Sequence, residues 1–397
     1  MLYMTSSSHI MAESADTIQE PDTRSPWYQV PGTVKVVPGE EFFKSIRLPE
    51  HHHFLFVDAI MAELLVLIGS LTVIWYLCGI IQLIVALINS CDFFSALTPV
   101  LPKDAFKDKI IWISGASSGI GREMTLILSK QGAKLISSAR NKDGLEQVAK
   151  ECQEINPNAD INILPLDLAS DCNVLVELAK EALGLFGRID VLINNGGVST
   201  RVMARDSGIS VDQYITQVDY LAHVAVTKTI LPVMEGLKEA RIINIGSVAS
   251  KIGAPARTAY CGAKHALLGF MNALQTETVL NGHSHINILN IILGSTSTSL
   301  PTRAVVGMSK DGKPATFLGI DPNIAGGMNA NVVANRILAI SYQNSSSEAW
   351  IAKGKELIVL FLNQYFPKIS SFLLVKTVGK QYLVKVVPND EIRVKSE

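Results

Sequence analysis

Apolar residues are spaced in two different ways along this chain. Between positions 64 and 91, 28 consecutive residues carry neither charge nor proline, and about 20 apolar residues suffice to cross the hydrocarbon layer of a bilayer as a helix. Helices of soluble folds rarely run this long without polar relief, so the segment reads as a transmembrane helix. It starts far from the N-terminus and lacks an early basic-then-apolar pattern, the mark of an uncleaved anchor rather than a removable signal peptide. Beyond position 109 the spacing changes. Short β-branched runs at 110–114, 135–139, 161–166, 191–194, 242–245 and 286–293 recur between stretches of helical periodicity. That alternation predicts an α/β fold, with a parallel sheet covered by helices on both faces.

The first such unit is legible in detail. Met124, Leu126, Ile127 and Leu128 lie on a helical stretch that closes at Lys130-Gln131-Gly132, with Gly132 where a C-terminal cap belongs. Between strand 110–114 and that helix runs Gly115-Ala116-Ser117-Ser118-Gly119-Ile120-Gly121. Glycines there permit a tight turn and let a dinucleotide's pyrophosphate approach the backbone at a helix N-terminus, where free N–H groups and the helix dipole bind anions. The expectation is a Rossmann-type doubly wound parallel sheet with an N-terminal transmembrane helix. The same residues satisfy G-x-S-x-G, with Ser117 where a hydrolase nucleophile would stand. That fold, however, builds several strands before its elbow, and here only the apolar helix precedes it. The segments expected are a mobile tail over 1–63, an anchor over 64–91, a dinucleotide-binding domain over 105–345 and an amphipathic extension over 346–397.

Charge and composition narrow the partners. Lys and Arg number 35 against 36 Asp and Glu, a net charge of −1, so there is no basic surplus with which to bind nucleic acid. Cys78, Cys91, Cys152, Cys172 and Cys261 show neither zinc-site spacing nor the density of a disulfide scaffold. Cys261 reads as a small buried apolar residue rather than a nucleophile. His51, His52 and His53 read as a solvated cluster, with no further metal ligand beside them. Lys44 and Arg47 before the anchor, against Lys103, Lys107 and Lys109 after it, mildly favour a cytosolic C-terminal domain. Asn344-Ser345-Ser346 is a glycosylation sequon that would be used only on the opposite, lumenal side.

Candidate chemistry begins at the end of the second strand. There an NAD-preferring fold places a carboxylate on the ribose 2′-hydroxyl, whereas this chain has Ser138-Ala139-Arg140. The Arg140 guanidinium can neutralise and hydrogen-bond a 2′-phosphate, so NADP is expected over NAD; a solvated surface charge is the plainer alternative. Tyr260 and Lys264 stand four apart, and the following Ala266, Leu267, Leu268, Phe270 and Met271 predict a helix that projects both from one face. An ammonium one turn away favours the phenolate, which would let the tyrosine exchange a proton near neutrality. Tyr-x-x-x-Lys alone is a chance-level spacing that a surface pair would also satisfy. Ser247, at the end of strand 242–245, offers a hydroxyl to hold a substrate carbonyl oxygen.

Taken in order, Gly115-x-x-x-Gly119-x-Gly121, Asp167, Asn194-Asn195-Gly196-Gly197, Ser247 and Tyr260-x-x-x-Lys264 resemble the short-chain dehydrogenase/reductase family. A likeness to membrane-anchored members extends to Trp350-Ile351-Ala352 and Asn363-Gln364-Tyr365-Phe366-Pro367. The resemblance implies that Tyr260 is the general acid/base, that Lys264 favours its phenolate and binds the nicotinamide ribose, and that Ser247 orients the carbonyl. It implies further that Ser117, Ser118, Gly119, Ile120 and Gly121 continue the pyrophosphate loop from Gly115. Asp167 and Leu168 would meet the adenine, Asn194 and Gly196 would support the cofactor wall, and Thr296 and Thr298 would lie near the nicotinamide amide. Two positions depart from the family pattern. Asp219, in Gln217-Val218-Asp219-Tyr220, takes the place of an asparagine that holds a relay water near the lysine; its carboxylate would stabilise the Lys264 cation but oppose a tyrosinate. Leu293-Gly294 replaces Pro-Gly after the sixth strand, loosening the backbone near the nicotinamide.

The substrate is read more coarsely. Residues 295–330, where the family has a mobile lid, carry Val305, Val306, Met308 and Phe317, which suits an apolar substrate. The uncharged run 357–367 is too short to span a bilayer and reads as amphipathic, lying at a membrane surface or substrate entrance, or as core packing. The function expected is a single-pass membrane oxidoreductase, with the endoplasmic reticulum as the expected membrane. It would pass a hydride between NADP(H) and the carbonyl or alcohol of a lipophilic substrate such as a steroid, retinoid or lipid ketone. The alternative is a catalytically weak or inactive nucleotide-binding scaffold or lipid-binding protein, motivated by Asp219 and Leu293. The expected partners are the substrate, the membrane and a second copy of the chain in a homodimer.

Overall fold

The computed structural model describes residues 50–298, 304–309, 311–316, 326–344 and 346–376, with side chains described from position 57 onward. The expected mobile tail up to residue 49, the side chains of His51, His52 and His53, Ser345 of the sequon, and lid positions 299–303, 310 and 317–325 lie outside the described residues. The chain divides into two units, Met1–Val73 and Ile74–Glu397. Helix α1, Glu50–Asn89, opens the described chain. Its stretch Val57–Asn89 is long and apolar enough to cross a membrane, and only 6 % of its most apolar window is buried. A core helix of a soluble fold would be mostly covered, so exposure on this scale marks a candidate membrane span. The helix starts earlier than the anchor expected at 64. Positions 50–63 contain no proline or glycine, so nothing interrupts helical propagation into the segment read as a tail.

Among the described residues, seven parallel strands form the core sheet: β1 Ile110–Ser114, β2 Lys134–Ser138, β3 Asp160–Ile163, β4 Val191–Asn194, β5 Ala240–Ile245, β6 Ile286–Leu293 and β7 Glu348–Ile351. Their spatial order is β7-β6-β5-β4-β1-β2-β3. The order reverses between β1 and β4, the switch point where doubly wound sheets open a crevice at the C-terminal strand ends. Helices α2 Gly119–Lys130, α3 Lys142–Ile155, α4 Cys172–Phe186, α5 Ile209–Thr216, α6 Ala222–Glu235, α7 Thr258–Leu280 and α8 Ala330–Gln343 cover the two faces.

Alternation along each strand builds a separate core on each face. Ile111, Ile113, Leu135, Ile193, Ile243 and Ile291 pack with Met124 and Leu128 of α2 and Ile337 of α8. Trp112, Ile136, Leu192, Ile242 and Ile288 pack with α4, α6 and α7. Each fully buried aliphatic side chain contributes about 1.5–3 kcal/mol, which is why the strands read as unbroken apolar runs. Trp112 is buried with its indole N–H donated to Ser138 Oγ at 2.8 Å.

Two boundaries differ from expectation. The third strand ends at Ile163 rather than 166. Leu164 and Leu166 still donate to Ser137 and Ala139, so contact with β2 runs on past the strand's end, and Pro165 between them turns its N–H-less nitrogen to the open edge, where a proline is tolerated. The expected domain limit at 345 falls just before β7, which pairs with β6 from Glu348 opposite Asn290 to Ile351 opposite Leu293. The first part of the predicted extension therefore belongs to the sheet. Helices α9 Gly354–Tyr365 and α10 Pro367–Leu374 follow it. The end of α1 is fastened along the same edge: Asp92 N donates to Trp350 O at 2.9 Å, Ala352 N donates to Ser90 O at 3.1 Å, and Cys91 bridges Ile351.

Candidate active site

At the switch point a cleft of about 520 Å³ is lined by Gly115, Ser117, Ser118, Gly119 and Ile120 from the turn after β1. Ala139, Arg140 and Asn141 come from the end of β2, Asp167 and Leu168 follow β3, Asn195, Gly196, Gly197 and Val198 follow β4, and Val218 and Thr298 complete the wall. The turn can close only with glycine. Gly115 (φ 70°) and Gly119 (φ 57°) are left-handed. A Cβ on Gly115 would come within 2.8 Å of Asn195 Nδ2, and one on Gly119 within 3.1 Å of Thr298 Cγ2. Ser118, the N-cap of α2, makes no side-chain cap hydrogen bond, so the first N–H groups of the helix are left for an anion. These features fit a dinucleotide pyrophosphate laid across the helix N-terminus.

Sequence reasoning passed over Asn195, the residue that braces this turn. Its Nδ2 donates to Ser114 O at 2.9 Å and Gly115 O at 3.3 Å, and its N–H donates to Ser114 Oγ at 3.0 Å. The Asn-Asn-Gly-Gly run held the signal, but nothing in the sequence tells which amide faces the cleft. Asn194 faces away: its Nδ2 lies 3.1 Å from Thr227 Oγ1 and its Oδ1 3.3 Å from His223 Nδ1. Gly121 lies under the turn, where a Cβ would overlap Gly115 O. A Cβ on Gly196 would stand 2.6 Å from Leu168 Cδ1, so a side chain there would have to displace that leucine end. Thr296 is buried beside the cleft rather than lining it, with Oγ1 donating to Gly294 O at 3.3 Å.

Arg140 is half-exposed at the cleft rim, with Nη1 donating to Tyr214 Oη at 3.3 Å and Nε 4.0 Å from Asp167 Oδ1. Burial raises the Tyr214 phenol, partly offset by the Arg140 charge. Asp167 turns its own Oδ1 onto the Ala169 N–H at 3.0 Å, an Asx turn that fixes the rim.

The other group of predicted residues gathers beside β5. Tyr260 and Lys264 lie one turn apart on α7, both buried, with Lys264 Nζ 5.9 Å from the centre of the Tyr260 ring and 3.5 Å from Ile245 O. Ser247 caps the 3-10 turn Val248–Ser250 immediately after β5, accepting from Ala249 N at 3.2 Å while its own N–H donates to Ser250 Oγ. Cys261 is buried and accepts from Ala254 N through Sγ; burial raises its thiol, as befits a packing residue.

Asp219 is fully buried on the π-turn Gln217–Leu221 between α5 and α6. Its Oδ1 accepts from Val198 N at 2.8 Å, while its Oδ2 has no hydrogen-bond partner. A Cβ on Gly197 would lie 2.9 Å from Asp219 Oδ1 and 3.5 Å from Lys264 Nζ, so carboxylate and ammonium flank the same point of the cleft wall. Burial pushes the Asp219 carboxyl from 3.8 up to about 6, against the pull of Lys264 and of the Val198 N–H. His223, one turn on, is pushed down to about 3, first by burial and then by the Lys264 charge. Its Nε2 lies 2.8 Å from Gly196 O, which makes it a neutral strut under the cleft wall.

A family model described as short chain dehydrogenase matches residues 109–305. Human dehydrogenase/reductase SDR family member 7 is 36% identical over 269 residues, 67% of this chain and 76% of its own length. Mouse dehydrogenase/reductase SDR family member 7B is 29% identical over 296 residues, 74% of this chain and 85% of its own. Among solved structures, a short chain dehydrogenase/reductase from Burkholderia phymatum in complex with NAD superposes with a TM-score of 0.58 at 19% identity, covering 67% of this chain and 96% of that one. A short chain dehydrogenase from Shigella flexneri 2a in complex with NADP does so with a TM-score of 0.53 at 21% identity, covering 64% and 100%.

Proposed function

The chain belongs to the short-chain dehydrogenase/reductase family, and from that premise we propose that it is a membrane-anchored, NADP(H)-dependent carbonyl reductase or alcohol dehydrogenase acting on lipophilic molecules. The observation that carries the reading is the buried Tyr260–Lys264 pair, one turn apart on α7, with Lys264 Nζ 3.5 Å from Ile245 O at the end of β5, the strand that Ser247 follows, and close behind Gly197 of the cleft wall. Arg140 at the rim, with no carboxylate in its place, supports NADP over NAD. A lipophilic substrate such as a steroid, retinoid or lipid ketone suits Val305 and Met308, which pack in one cluster with Val202, Ala254 and Tyr260. The anchor α1 would hold the domain on a membrane by a single pass, the endoplasmic reticulum being the compartment to test.

When bound, the nicotinamide dinucleotide supplies or accepts the hydride. The chain's own residues do the rest. The α2 N–H groups and the glycine turn would hold the pyrophosphate, Asp167 and Leu168 would meet the adenine, and Thr298, which lines the cleft beside Gly119, would close over it. Ser247 Oγ donates to the substrate carbonyl oxygen and fixes its direction. Tyr260 Oη gives that oxygen a proton in reduction and takes it back in oxidation. Lys264, held by Ile245 O and balanced by Asp219, stabilises the phenolate left behind.

The test is full-length protein in detergent with NADPH and a panel of retinoid, steroid, lipid and aromatic carbonyls, beside Tyr260→Phe. Carbonyl-dependent NADPH oxidation is expected in the wild type, with a loss of about a hundredfold or more in the variant. Equal rates in the two would leave a nucleotide-binding scaffold, a reading that draws on the unpartnered Asp219 Oδ2.

A further inference from the structure

Helices α9 and α10, the last among the described residues, are amphipathic in different senses. The inner side of α9 buries Leu357 and Leu360: Leu357 packs with Ala86 of α1 and Ala352, and Leu360 with Ile252, Leu268 and Ile292. The outer side, continued onto α10, presents Ile358, Tyr365, Phe366, Ile369, Phe372 and Val375, which are 39 to 69 % exposed. The spacing of Ile369 and Phe372 sets them on one stripe of α10, with Val375 following at its end and Phe366 just before its start. Uncovered apolar surface of this density marks a place where something else excludes water.

Two observations say what covers it. Tyr365 meets Trp75 of α1 edge-on, ring centres 6.5 Å apart. The uncharged run spans 64–91, and Trp75 falls inside any window of about 20 residues chosen within it. The side chain that touches Trp75 therefore stands at the depth of the span. The charges agree. Residues 354–376 carry Lys355, Lys368 and Lys376 against the single Glu356, and Glu356 is engaged by the N–H and Oγ of Ser295. Lysines bordering an apolar stripe suit lipid headgroups, and Lys376 sets its Nζ 5.8 Å from the Phe372 ring centre at the stripe's end.

We propose that α10 and the end of α9 lie in the bilayer surface as a second membrane contact, with Phe366, Ile369, Phe372 and Val375 among the acyl chains and Lys368 and Lys376 at the phosphates. The inference rests on the anchored reading of α1 and deepens it, because the contact adjoins the candidate active site. Asn363 of α9 donates to Lys251 O at 2.9 Å, just past the Ser247 turn, and Val248 packs against both apolar clusters of α9. A substrate dissolved in the bilayer would leave it beside the catalytic serine.

The experiment uses the full chain in bilayer nanodiscs of phosphatidylcholine with a minority of phosphatidylserine. Cys78 and Cys172, the two cysteines that are not buried, are replaced by serine, and a nitroxide is attached in turn at Ile369→Cys, Phe372→Cys, Lys150→Cys and Leu67→Cys. Collision with oxygen, relative to a water-soluble nickel chelate, is expected to be several-fold higher at 369 and 372 than at the aqueous reference 150. Ratios equal to that at 150 overturn the proposal, and so do low collision rates with both reagents, which would mean that a second protein copy covers the stripe. The label at 67 separates the two failures. Aqueous 369 and 372 with an embedded 67 reject only the second contact, whereas an aqueous 67 rejects the anchor, whatever the other positions report.

Discussion

Replacing Asp219 by asparagine removes a charge while keeping an oxygen for the Val198 N–H, which isolates the cost of ionising a carboxyl at a fully buried site. The folded state raises that carboxyl from 3.8 to about 6, roughly two decades of proton affinity at about 1.4 kcal/mol each. The ionised form therefore costs on the order of 3 kcal/mol of folding free energy. Because the folded value is the higher one, the folded protein binds the proton more tightly. The stability from this group is fully present below about pH 4 and is lost as pH rises through about 6. Asp219→Asn cannot ionise, so it should exceed the wild type by up to about 3 kcal/mol above pH 7. For a domain of this size that corresponds to a melting-temperature gain of roughly 6 °C. The two proteins should converge below about pH 4. Thermal unfolding of the detergent-solubilised full chain from pH 4 to 8, followed by circular dichroism, measures this directly. A difference that does not change with pH refutes the reasoning. So does a variant less stable at pH 7.5, which would mean that the attraction to Lys264 outweighs the burial of the carboxylate.

Arg140→Asp should weaken NADPH relative to NADH by about tenfold to a hundredfold, the worth of one charge-assisted hydrogen bond; titration with both nucleotides checks it, and an unchanged ratio removes Arg140 from 2′-phosphate recognition. Gly121→Ala places a methyl against Gly115 O and 2.6 Å from Asn195 Nδ2, so it should cost about 1–3 kcal/mol of stability and weaken dinucleotide binding, both measurable by melting with and without NADPH. Carbonate extraction of membranes should leave the full-length chain in the pellet, and its release into the supernatant would rule out the span.

The sheet was legible because its signals are local. β-branched runs between helices, the glycine turn and the Gly132 stop each reflect one residue's backbone preference, and they located six of the seven strands. The seventh escaped because Glu348-Ala349-Trp350-Ile351 holds a single β-branched residue and so lacks the run that marked the others; what makes it a strand is its pairing with β6, a contact no local pattern reveals. The early start of α1 was missed because the expectation stopped at Glu63, although helix continues through a charge where it does not continue through a proline. At the site, spacing along one helix brought out Tyr260 and Lys264. Which of two adjacent asparagines faces the cleft depends on the twist of β4's end, and the burial that raises Asp219 depends on packing from α6 and α7 together. Those are properties of the assembled layers.

The fastening of Ser90, Cys91 and Asp92 along β7 bears on how this protein can be cut. Sheet margins left open invite pairing with strangers, and here the segment that follows α1 occupies that margin, with Trp350 and Ala352 already committed to it. A shortened version that begins after position 92 would bare the flank of β7 and strip Ala86 from Leu357, trading a greasy tail for a sticky border. Truncation designed to yield a soluble enzyme is better placed before Ala86, where the last turn of α1 still seals the sheet.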